Sequence, residues 1–407
     1  MGLTGFLRDN APFLAAGALL AFCSSFGQTY LISVFAGVIQ ADFGLSHGEW
    51  GGIYTIGTTA SAVAMIWAGV ATDHVRARAL GAVVLVALAL ACLAMALAPA
   101  AWALPFVIFA LRFAGQGMTT HIAVVAMARW FTVSRGKAIS IALMGFAVGE
   151  AFLPLAIVPL LGIAPWRALW VGFAVFLVLM APVLYRLLRL ERTPRAAAEE
   201  AGALGMGARH WRRPEALRHW LFWMVAPAIL APSAFGTAFF FQQVHLAETK
   251  GWAHLELVAL FPLFTGTSIA AMLVSGWLID RLGSARLMPV AQIPVAVGFL
   301  LMGAAESLAA AGLAVVLMGA SQGALSTLSS AFWAEFYGTR HLGGIKALAT
   351  AVMVLGSAIG PGLTGVLIDF GVVFEDQMAG IAGVYLGAAA LVAVGVTRAR
   401  RLLPVAA

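Results

Sequence analysis

The sequence predicts an all-α integral membrane protein with twelve transmembrane helices in two six-helix bundles and both termini in the cytoplasm. Three observations support this fold class. Of the 407 residues, 62% are hydrophobic and only 10% are charged, whereas soluble domains carry about 25% charged residues. Long apolar runs recur along the whole chain, and basic residues collect between alternate runs. This composition excludes a soluble enzyme, a soluble nucleic-acid-binding protein and a disordered chain.

Twelve apolar runs are long enough to cross a hydrocarbon core about 30 Å thick, which takes roughly 20 helical residues. Their predicted bounds are 12–36, 50–72, 79–98, 103–128, 138–161, 167–187, 220–245, 256–279, 287–304, 309–333, 345–369 and 378–397. A long polar segment separates the sixth run from the seventh. We therefore expect an N-terminal bundle at 1–187, a cytoplasmic linker at 188–219 and a C-terminal bundle at 220–407. The linker is interpreted as a solvated tether.

The distribution of basic residues predicts the orientation of these spans. With the N-terminus inside, 21 of the 24 lysines and arginines lie in cytoplasmic segments, and only Arg167 and Lys250 lie outside. Such an excess is typical of the cytoplasmic side of membrane proteins. We therefore attribute the net charge of +7 to topology and not to nucleic-acid binding. The expected location is the cytoplasmic (inner) membrane.

Catalytic and metal-binding patterns are not evident in the sequence. Cys23 and Cys92 both lie in apolar runs, and no phosphate-binding loop, metal-ligand cluster or hydrolase triad stands out. The sequence therefore predicts a protein that is not an enzyme and needs no metal or cofactor.

The two halves of the chain repeat each other, as in carriers built from two related bundles. Three segments of the first half recur 206 to 211 residues later: Gly69–His74 matches Gly276–Arg281, Leu111–Gly117 matches Leu317–Gly323, and Gly145–Glu150 matches Gly356–Pro361. We expect the two bundles to face each other around a central site.

With these repeats the chain resembles the major facilitator superfamily over essentially its whole length. The most specific motif is the loop G-x-x-x-D-[R/K]-x-G-[R/K]-[R/K] after the second span. It is matched by Gly69, Asp73, Arg76 and Arg78, with His74 at a usually basic position and the second glycine missing. The sister loop keeps Asp280-Arg281-Leu282-Gly283.

The resemblance implies that this loop is a conformational latch, which holds the cytoplasmic ends of the bundles together in the outward-facing state. The latch would comprise Gly69, Asp73, Arg76, Arg78, Asp280 and Arg281. A carboxylate among arginines at a helix N-terminus can form such a breakable contact. The alternative is that both aspartates only balance nearby cations.

Two further segments are similar to the monocarboxylate-transporter-like and oxalate/formate-antiporter-like branches of that superfamily. They are Arg129-Trp130-Phe131 followed by Arg135-Gly136-Lys137-Ala138, and Gly360-Pro361-Gly362 with Gly365 and Asp369. The eighth span lacks the basic residue that those carriers often have. Their substrates are therefore not carried over as a whole.

Two charged residues inside spans predict a functional site. Arg112 is the only basic residue outside the loops, and Glu150 is the one acidic residue well inside a span. Because a charge in hydrocarbon costs several kcal/mol unless it is paired or hydrated, both should face the bundle interior. At 1.5 Å per residue they lie about 24 Å and 19 Å from the cytoplasmic ends of their helices, so they can meet.

Two interpretations of this pair stay open. In a coupled site, Arg112 binds an anionic substrate and Glu150 exchanges a proton. In a structural site, the two residues form a permanent ion pair.

Other polar side chains within spans are candidates to line the cavity, because such groups usually face protein. They are Gln28, Thr29, Tyr30, Gln116, His121, Gln242, Gln243, His245, Ser321, Gln322 and Ser326. We predict substrate binding, with Arg112, for Gln28, Tyr30, Gln116, Gln242, Gln322 and Ser326. His121 is predicted to share proton coupling with Glu150. Ordinary hydrogen bonds between helices would explain these residues equally well.

The predicted function is secondary active transport of a small organic anion, a carboxylate, by alternating access with proton coupling. The expected partners are the substrate, protons and the lipid bilayer, and the protein is expected to be a monomer. Two alternatives stay open. One is a proton-coupled exporter of hydrophobic or cationic compounds, with Glu150 as the binding carboxylate. The other is a non-transporting membrane sensor on the same fold.

Overall fold

The computed structural model describes residues 3–69, 71–131, 135–189, 205–338 and 341–403. The regular structure within these ranges is helical, as predicted. The chain divides into two compact units, Met1–Ala198 and Glu199–Ala407. In the described ranges, eleven helices are long and apolar enough to cross a membrane, or twelve when the bent pair Thr29–Phe43 and His47–Ala68 is included. The predicted membrane architecture is confirmed.

The first unit contains the first six spans. Its helices are Leu3–Cys23, Thr29–Ile32, Ala36–Phe43, His47–Ala68, Ala71–His74, Ala77–Ala96, Leu104–Leu111, Thr120–Trp130, Arg135–Leu161 and Trp166–Leu187, with 3₁₀ turns at Ser24–Gly27, Ser33–Phe35 and Ala101–Ala103 and a π-helix at Arg112–Thr119. The predicted linker 188–219 lies outside the described residues from 190 to 204.

The second unit contains the last six spans. Its helices are Arg213–Arg218, Trp220–Phe241, Gln243–Lys250, His254–Val258, Phe261–Leu282, Ser284–Val290, Ile293–Ala304, Leu308–Tyr337, Leu342–Asp369 and Phe374–Ala399, with 3₁₀ turns at Met206–Ala208 and Arg400–Leu402. Its core includes the aromatic side chains of Phe222, Phe332, Trp333, Phe336 and Tyr337.

The first span is not the continuous helix that the sequence predicts. After the 3₁₀ turn Ser24–Gly27, Gln28 is extended, with φ −90° and ψ 151°. An extended residue cannot continue the helical hydrogen-bond ladder. At this break Gly27 packs against Gly115 so closely that a Cβ on Gly115 would lie 2.6 Å from the Cα of Gly27. We name residues 24–30 the first-span break.

The first span of the second unit is interrupted at a glutamine as well. The helix Trp220–Phe241 is followed by Gln242, which is not helical, and the next helix is Gln243–Lys250. Gln242 is buried and donates a hydrogen bond from Nε2 to Thr364 Oγ1 at 3.2 Å. Both units therefore begin with a span that is interrupted beside a buried glutamine.

The glycine repeat in the fifth and eleventh spans produces the same contact in both units. Gly145 packs against the backbone of Ala18 in the first span, and its counterpart Gly356 packs against the backbone of Leu230 in the seventh. A side chain at either glycine would collide with the backbone of the neighbouring helix. Close helix packing of this kind is typical of membrane bundles.

Arg167, one of the two basic residues that the charge pattern places outside, is bound within the first unit. It forms an ion pair with Asp42 at 2.9 Å. It also donates hydrogen bonds to the carbonyl oxygens of Ala96 and Ala98, at 2.9 and 3.0 Å. Arg167 thus connects the start of the sixth span to the helix Ala36–Phe43 and to the end of the third span.

Lys250 makes the corresponding contact in the second unit. It pairs with Glu375 at 2.9 Å and donates to the carbonyl oxygen of Gly303, at the end of the ninth span. Asp42 and Lys250 are 208 residues apart, as are Arg167 and Glu375. The two units therefore contain the same ion pair with its charges exchanged.

Candidate functional site

Arg112 is the centre of a candidate site within the first unit. Its side chain is only 1% exposed. Nη1 donates hydrogen bonds to the carbonyl oxygen of Gly27 and to Oγ1 of Thr29, both at 3.2 Å. The guanidinium carbon lies 5.3 Å from the ring centroid of Tyr54. Neutral oxygens and an aromatic face therefore surround a buried positive charge.

Three elements position these groups. Arg112 begins the π-helix Arg112–Thr119, a wide turn of the kind that often occurs at functional sites. The first-span break presents the carbonyl of Gly27 and the side chain of Thr29. The helix His47–Ala68 supplies Tyr54, whose hydroxyl is hydrogen bonded to that of Thr29. The Nε atom of Arg112 has no hydrogen-bond partner among the described residues.

Glu150 approaches the first-span break from another helix, Arg135–Leu161. The preceding residue, Gly149, packs against Ser25 and Tyr30. Glu150 is half-buried and interacts electrostatically with Tyr30, and the Tyr30 hydroxyl donates to Ser25 Oγ at 2.7 Å. Its carboxylate therefore lies near the break.

The expected contact between Arg112 and Glu150 is not made among the described residues. Arg112 finds its partners in Gly27, Thr29 and Tyr54. The physical reason is that the interrupted helix offers a carbonyl acceptor next to Arg112, while Glu150 lies against Tyr30. The structure does not support the interpretation as a permanent ion pair.

The other predicted binding residues of the first unit surround the same break. Gln28 and Tyr30 are buried in it, and Gln28 Nε2 donates to Ser24 Oγ at 3.4 Å. Gln116 lies within one turn of Arg112 on the π-helix, and its side chain is exposed. Arg112 is therefore closed off in this structure, while Gln116 on the same π-helix is accessible.

The predicted binding residues of the second unit differ in exposure. Gln242 is buried at the seventh-span interruption, whereas Gln322 and Ser326 are exposed on the helix Leu308–Tyr337. Ser326 donates to the carbonyl oxygen of Gly323 at 2.7 Å.

His121 lies beside the predicted latch rather than beside Arg112. Its Nε2 is 3.4 Å from Oγ1 of Thr72, and the ring packs near Gly69. The physical reason is that His121 is two turns of helix closer than Arg112 to the loop that begins at Gly69.

The latch arginines contact aromatic rings in the described part of the chain. The guanidinium of Arg78 lies 3.7 Å from the ring centroid of Tyr185, and that of Arg281 lies 3.9 Å from the ring of Trp277. Arg76 is exposed. The side chains of Asp73 and Asp280 lie outside what the structure describes.

Sequence reasoning missed Tyr54. Tyr54, Thr58 and Ser61 are buried on one face of His47–Ala68. Their spacing of three and four residues is the signal that could have identified a polar face directed to the bundle interior.

Glu335 was also missed. Its carboxylate accepts hydrogen bonds from the backbone N–H and the hydroxyl of Ser284 at the start of the helix Ser284–Val290. An acidic group stabilises the positive end of a helix. Sequence alone could not join two residues that are 51 positions apart.

In the described residues, no group of three or more His, Cys, Asp or Glu side chains is arranged to hold a metal ion. The candidate site of the first unit consists instead of a buried cation, a carboxylate and several hydroxyl and amide groups. Such a site can bind a charged solute and exchange a proton.

In the described ranges, eleven or twelve membrane-crossing helices in two repeated units form the architecture expected of a carrier built from related bundles. The chain belongs to the Major Facilitator Superfamily, whose sequence profile matches residues 17–361 and, in a second match, 263–405. This protein is therefore a multi-pass membrane transporter and not an enzyme.

Solved transporters have the same fold. A bacterial homologue of the human lysosomal transporter Spinster, inward-facing and occupied, is 17% identical with a TM-score of 0.69, covering 96% of both chains. The unoccupied form of the same homologue is 16% identical with a TM-score of 0.67, and the match covers 97% of this chain and 95% of that chain. A mutant of the nucleoside transporter NupG is 12% identical with a TM-score of 0.68, covering 96% of this chain and all of its own. A search of curated protein sequences finds no significant match.

Proposed function

We propose that this transporter moves a small organic anion, a carboxylate, across the cytoplasmic (inner) membrane by alternating access coupled to protons. The observation that carries the proposal is the environment of Arg112. Its charge is buried, and its partners are a carbonyl oxygen, a hydroxyl and an aromatic ring. A carboxylate substrate supplies the negative charge that this environment lacks.

The chemistry of the guanidinium is suited to a carboxylate ligand. A carboxylate can accept two parallel hydrogen bonds from one edge of an arginine. Nε of Arg112 is part of such an edge, and it has no partner among the described residues. Charge-assisted hydrogen bonds contribute about twice as much as neutral ones. Binding of a carboxylate would therefore exceed binding of its neutral amide.

Access to Arg112 requires movement of the first-span break. The side chain is closed off in this structure, while Gln116 on the same π-helix is exposed. Gln28 and Tyr30 lie in the break itself, so a shift of this segment changes their position and the access to Arg112 together. We propose that the break opens and closes the binding site during alternating access.

Proton coupling is assigned to Glu150. Glu150 interacts with Tyr30 in the break, and Arg112 binds Gly27 and Thr29 in the same segment. Protonation of the carboxylate and occupation of Arg112 by an anion therefore act on one mobile element. A proton that moves with a monocarboxylate also leaves no net charge to cross the membrane. His121 is proposed as a proton relay nearer the latch.

The remaining predicted residues are given supporting roles. Gln242, Gln322 and Ser326 are proposed to bind the substrate from the second unit. The latch loops that contain Asp73 and Asp280 are proposed to hold the cytoplasmic ends closed. We place the protein in the monocarboxylate-like branch and expect it to act as a monomer.

Ligand stabilisation of the purified protein tests the proposal. Thermal unfolding in detergent is measured with a panel of small monocarboxylates and with the matching neutral amides. We expect at least one carboxylate to raise the unfolding temperature while its amide does not. Arg112→Gln should abolish this shift, and Arg112→Lys should weaken binding about tenfold because an ammonium cannot form the two-point contact.

Arg167→Gln is the matched control, because it removes an arginine from the same unit outside the site. It should leave the carboxylate response unchanged. A shift that survives Arg112→Gln would overturn the assignment of Arg112. Stabilisation by cationic compounds alone, with loss in Glu150→Gln, would instead favour the exporter.

A further inference from the structure

A groove of about 810 Å³ lies on the first unit between the helices Ala77–Ala96 and Trp166–Leu187. Its lining has two parts of different chemistry. At one end are three arginines, Arg78, Arg186 and Arg189, with Tyr185; the remainder is apolar. No carboxylate is present among the described residues that line it.

The arginines collect where the two helices meet at the predicted cytoplasmic surface. Arg78 is the second residue of its helix, and Arg186 lies in the last turn of the other. Arg78 Nη1 donates to the carbonyl oxygen of Arg189 at 3.5 Å, and its guanidinium lies over the ring of Tyr185. Three positive charges are therefore gathered at one end of the groove.

The apolar part extends from these arginines toward the membrane interior. Val83 is 66% exposed and Val86 is 42% exposed, and Ala82, Ala181 and Pro182 complete this face. Arg78 and Val86 are eight residues apart on one helix, which corresponds to about 12 Å. This exposed apolar surface lies on helices that are predicted to cross the membrane, so it is suited to contact with lipid.

We propose that this groove binds an anionic phospholipid, with the phosphate against Arg78, Arg186 and Arg189 and an acyl chain along Val83 and Val86. Basic pockets between transmembrane helices on the cytoplasmic side are suited to such headgroups. Tyr185 fits the same place, because tyrosine side chains lie at headgroup depth in membrane proteins. An inorganic anion such as phosphate would gain no binding energy from the apolar part of the groove. We therefore assign a phospholipid to it. This site is separate from the Arg112 site.

Native mass spectrometry of the purified full-length protein tests the charged end. Phosphatidylglycerol, phosphatidylcholine and inorganic phosphate are titrated in separate experiments. We expect phosphatidylglycerol to bind more tightly than phosphatidylcholine. Arg186→Gln with Arg189→Gln should weaken phosphatidylglycerol binding about 25-fold, or about fivefold for each arginine. The matched control is Arg398→Gln with Arg401→Gln, which removes two exposed arginines at the end of the last span; its affinity should stay unchanged.

A second variant tests the apolar end without altering charge. Val86→Trp fills the groove and should weaken phosphatidylglycerol binding at least tenfold. Equal binding of both lipids, unchanged phosphatidylglycerol binding in the arginine variant or in Val86→Trp, or an equal loss in the control pair would each overturn the proposal. Inorganic phosphate that binds as tightly as the lipid would show a simple anion site and would also overturn it.

Discussion

The contacts of Arg112 illustrate how one residue keeps a charge inside a membrane bundle. A guanidinium has five N–H donors, and here Nη1 uses the carbonyl of Gly27 and the hydroxyl of Thr29. The ring of Tyr54 adds a cation–π contact, which contributes about 2 kcal/mol when desolvated. Such partners stabilise the charge while leaving it able to attract an anion.

Tyr54 should therefore stabilise the first unit in two separable ways. Tyr54→Phe removes the hydrogen bond to Thr29 and should cost about 1 kcal/mol of unfolding free energy. Tyr54→Leu also removes the aromatic face and should cost about 2 kcal/mol more. Thermal unfolding in detergent measures both changes. Equal stability of the two variants would contradict the ring contact.

The Glu150 carboxylate should matter for coupling more than for folding. Glu150→Gln mimics the protonated acid, so it should keep folding and substrate exchange but lose uptake driven by a pH gradient. Uptake and exchange are measured in proteoliposomes. Glu256→Gln is the control, since it removes the capping carboxylate of the helix His254–Val258 in the second unit and should keep pH-driven uptake. Normal pH-driven uptake by Glu150→Gln would rule out this carboxylate as the coupling group.

At the scale of elements, the first-span break and the π-helix pack directly against each other. Gly27 and Gly115 bring the two backbones into contact, and Arg112 joins them by a hydrogen bond. The break therefore depends on a neighbouring helix as much as on its own residues.

A side chain at this contact should disrupt it. Gly115→Ala places a Cβ 2.6 Å from the Cα of Gly27, and overpacking of this kind costs about 1–3 kcal/mol. Gly172→Ala is the control, because a Cβ there meets nothing within 4 Å and should add about 0.5–1 kcal/mol of helix stability. Unfolding midpoints of the two variants should move in opposite directions. A neutral Gly115→Ala would show that the helices can separate without cost.

His219 gives the second unit a pH-dependent helix start. Its Nδ1 accepts a hydrogen bond from the backbone N–H of Leu221 at 3.4 Å, and its ring packs on Trp211. Burial, followed by the positive charge of Arg209, lowers the pKa of His219 below its ordinary value of 6.5. The folded state then binds this proton less readily than the unfolded state. The contribution of His219 to the free energy of unfolding is therefore complete above pH 6.5. It decreases as the pH falls below that value toward the lower pKa of the folded state.

The effect of His219 is separable from that of other titrating groups. His219→Asn keeps an N-cap acceptor that does not titrate. Between pH 7.5 and 5, the unfolding temperature of the wild-type protein should fall more steeply than that of the variant. Parallel curves would show that His219 does not contribute to the pH dependence.

At the scale of the whole molecule, the fold could be predicted because lipid requires each span to satisfy its own backbone in a helix. The repeated motifs then divide the chain into two similar halves. The partners of Arg112 could not be predicted in the same way. One partner is the backbone carbonyl of Gly27, which cannot be recognised from a pattern of side chains. The break also depends on Gly115, which is distant in sequence. Arg112 and Glu150 were identified as charges inside spans, but their contacts follow from the interruption.

The two exchanged ion pairs should differ in strength. Arg167 and Asp42 are 37% and 44% exposed, whereas Lys250 and Glu375 are 11% and 27% exposed. Asp42→Asn should therefore cost less than about 1 kcal/mol, and Glu375→Gln should cost about 1.5–3 kcal/mol. Unfolding in low and high salt measures both, and the Asp42 effect should shrink more with salt. A larger loss for Asp42→Asn would contradict this order.

The exchange of charges between the two units suggests an order of substitution in a chain that arose by duplication. In both units the cation is bound by carbonyl oxygens at the end of the third or ninth span, where a helix carries partial negative charge. An ancestor with two cations at this place keeps favourable contacts with those carbonyls. An ancestor with two carboxylates has none and adds repulsion from the helix end. Substitution through two cations is therefore the less costly order, because it never places two carboxylates at the negative end of a helix.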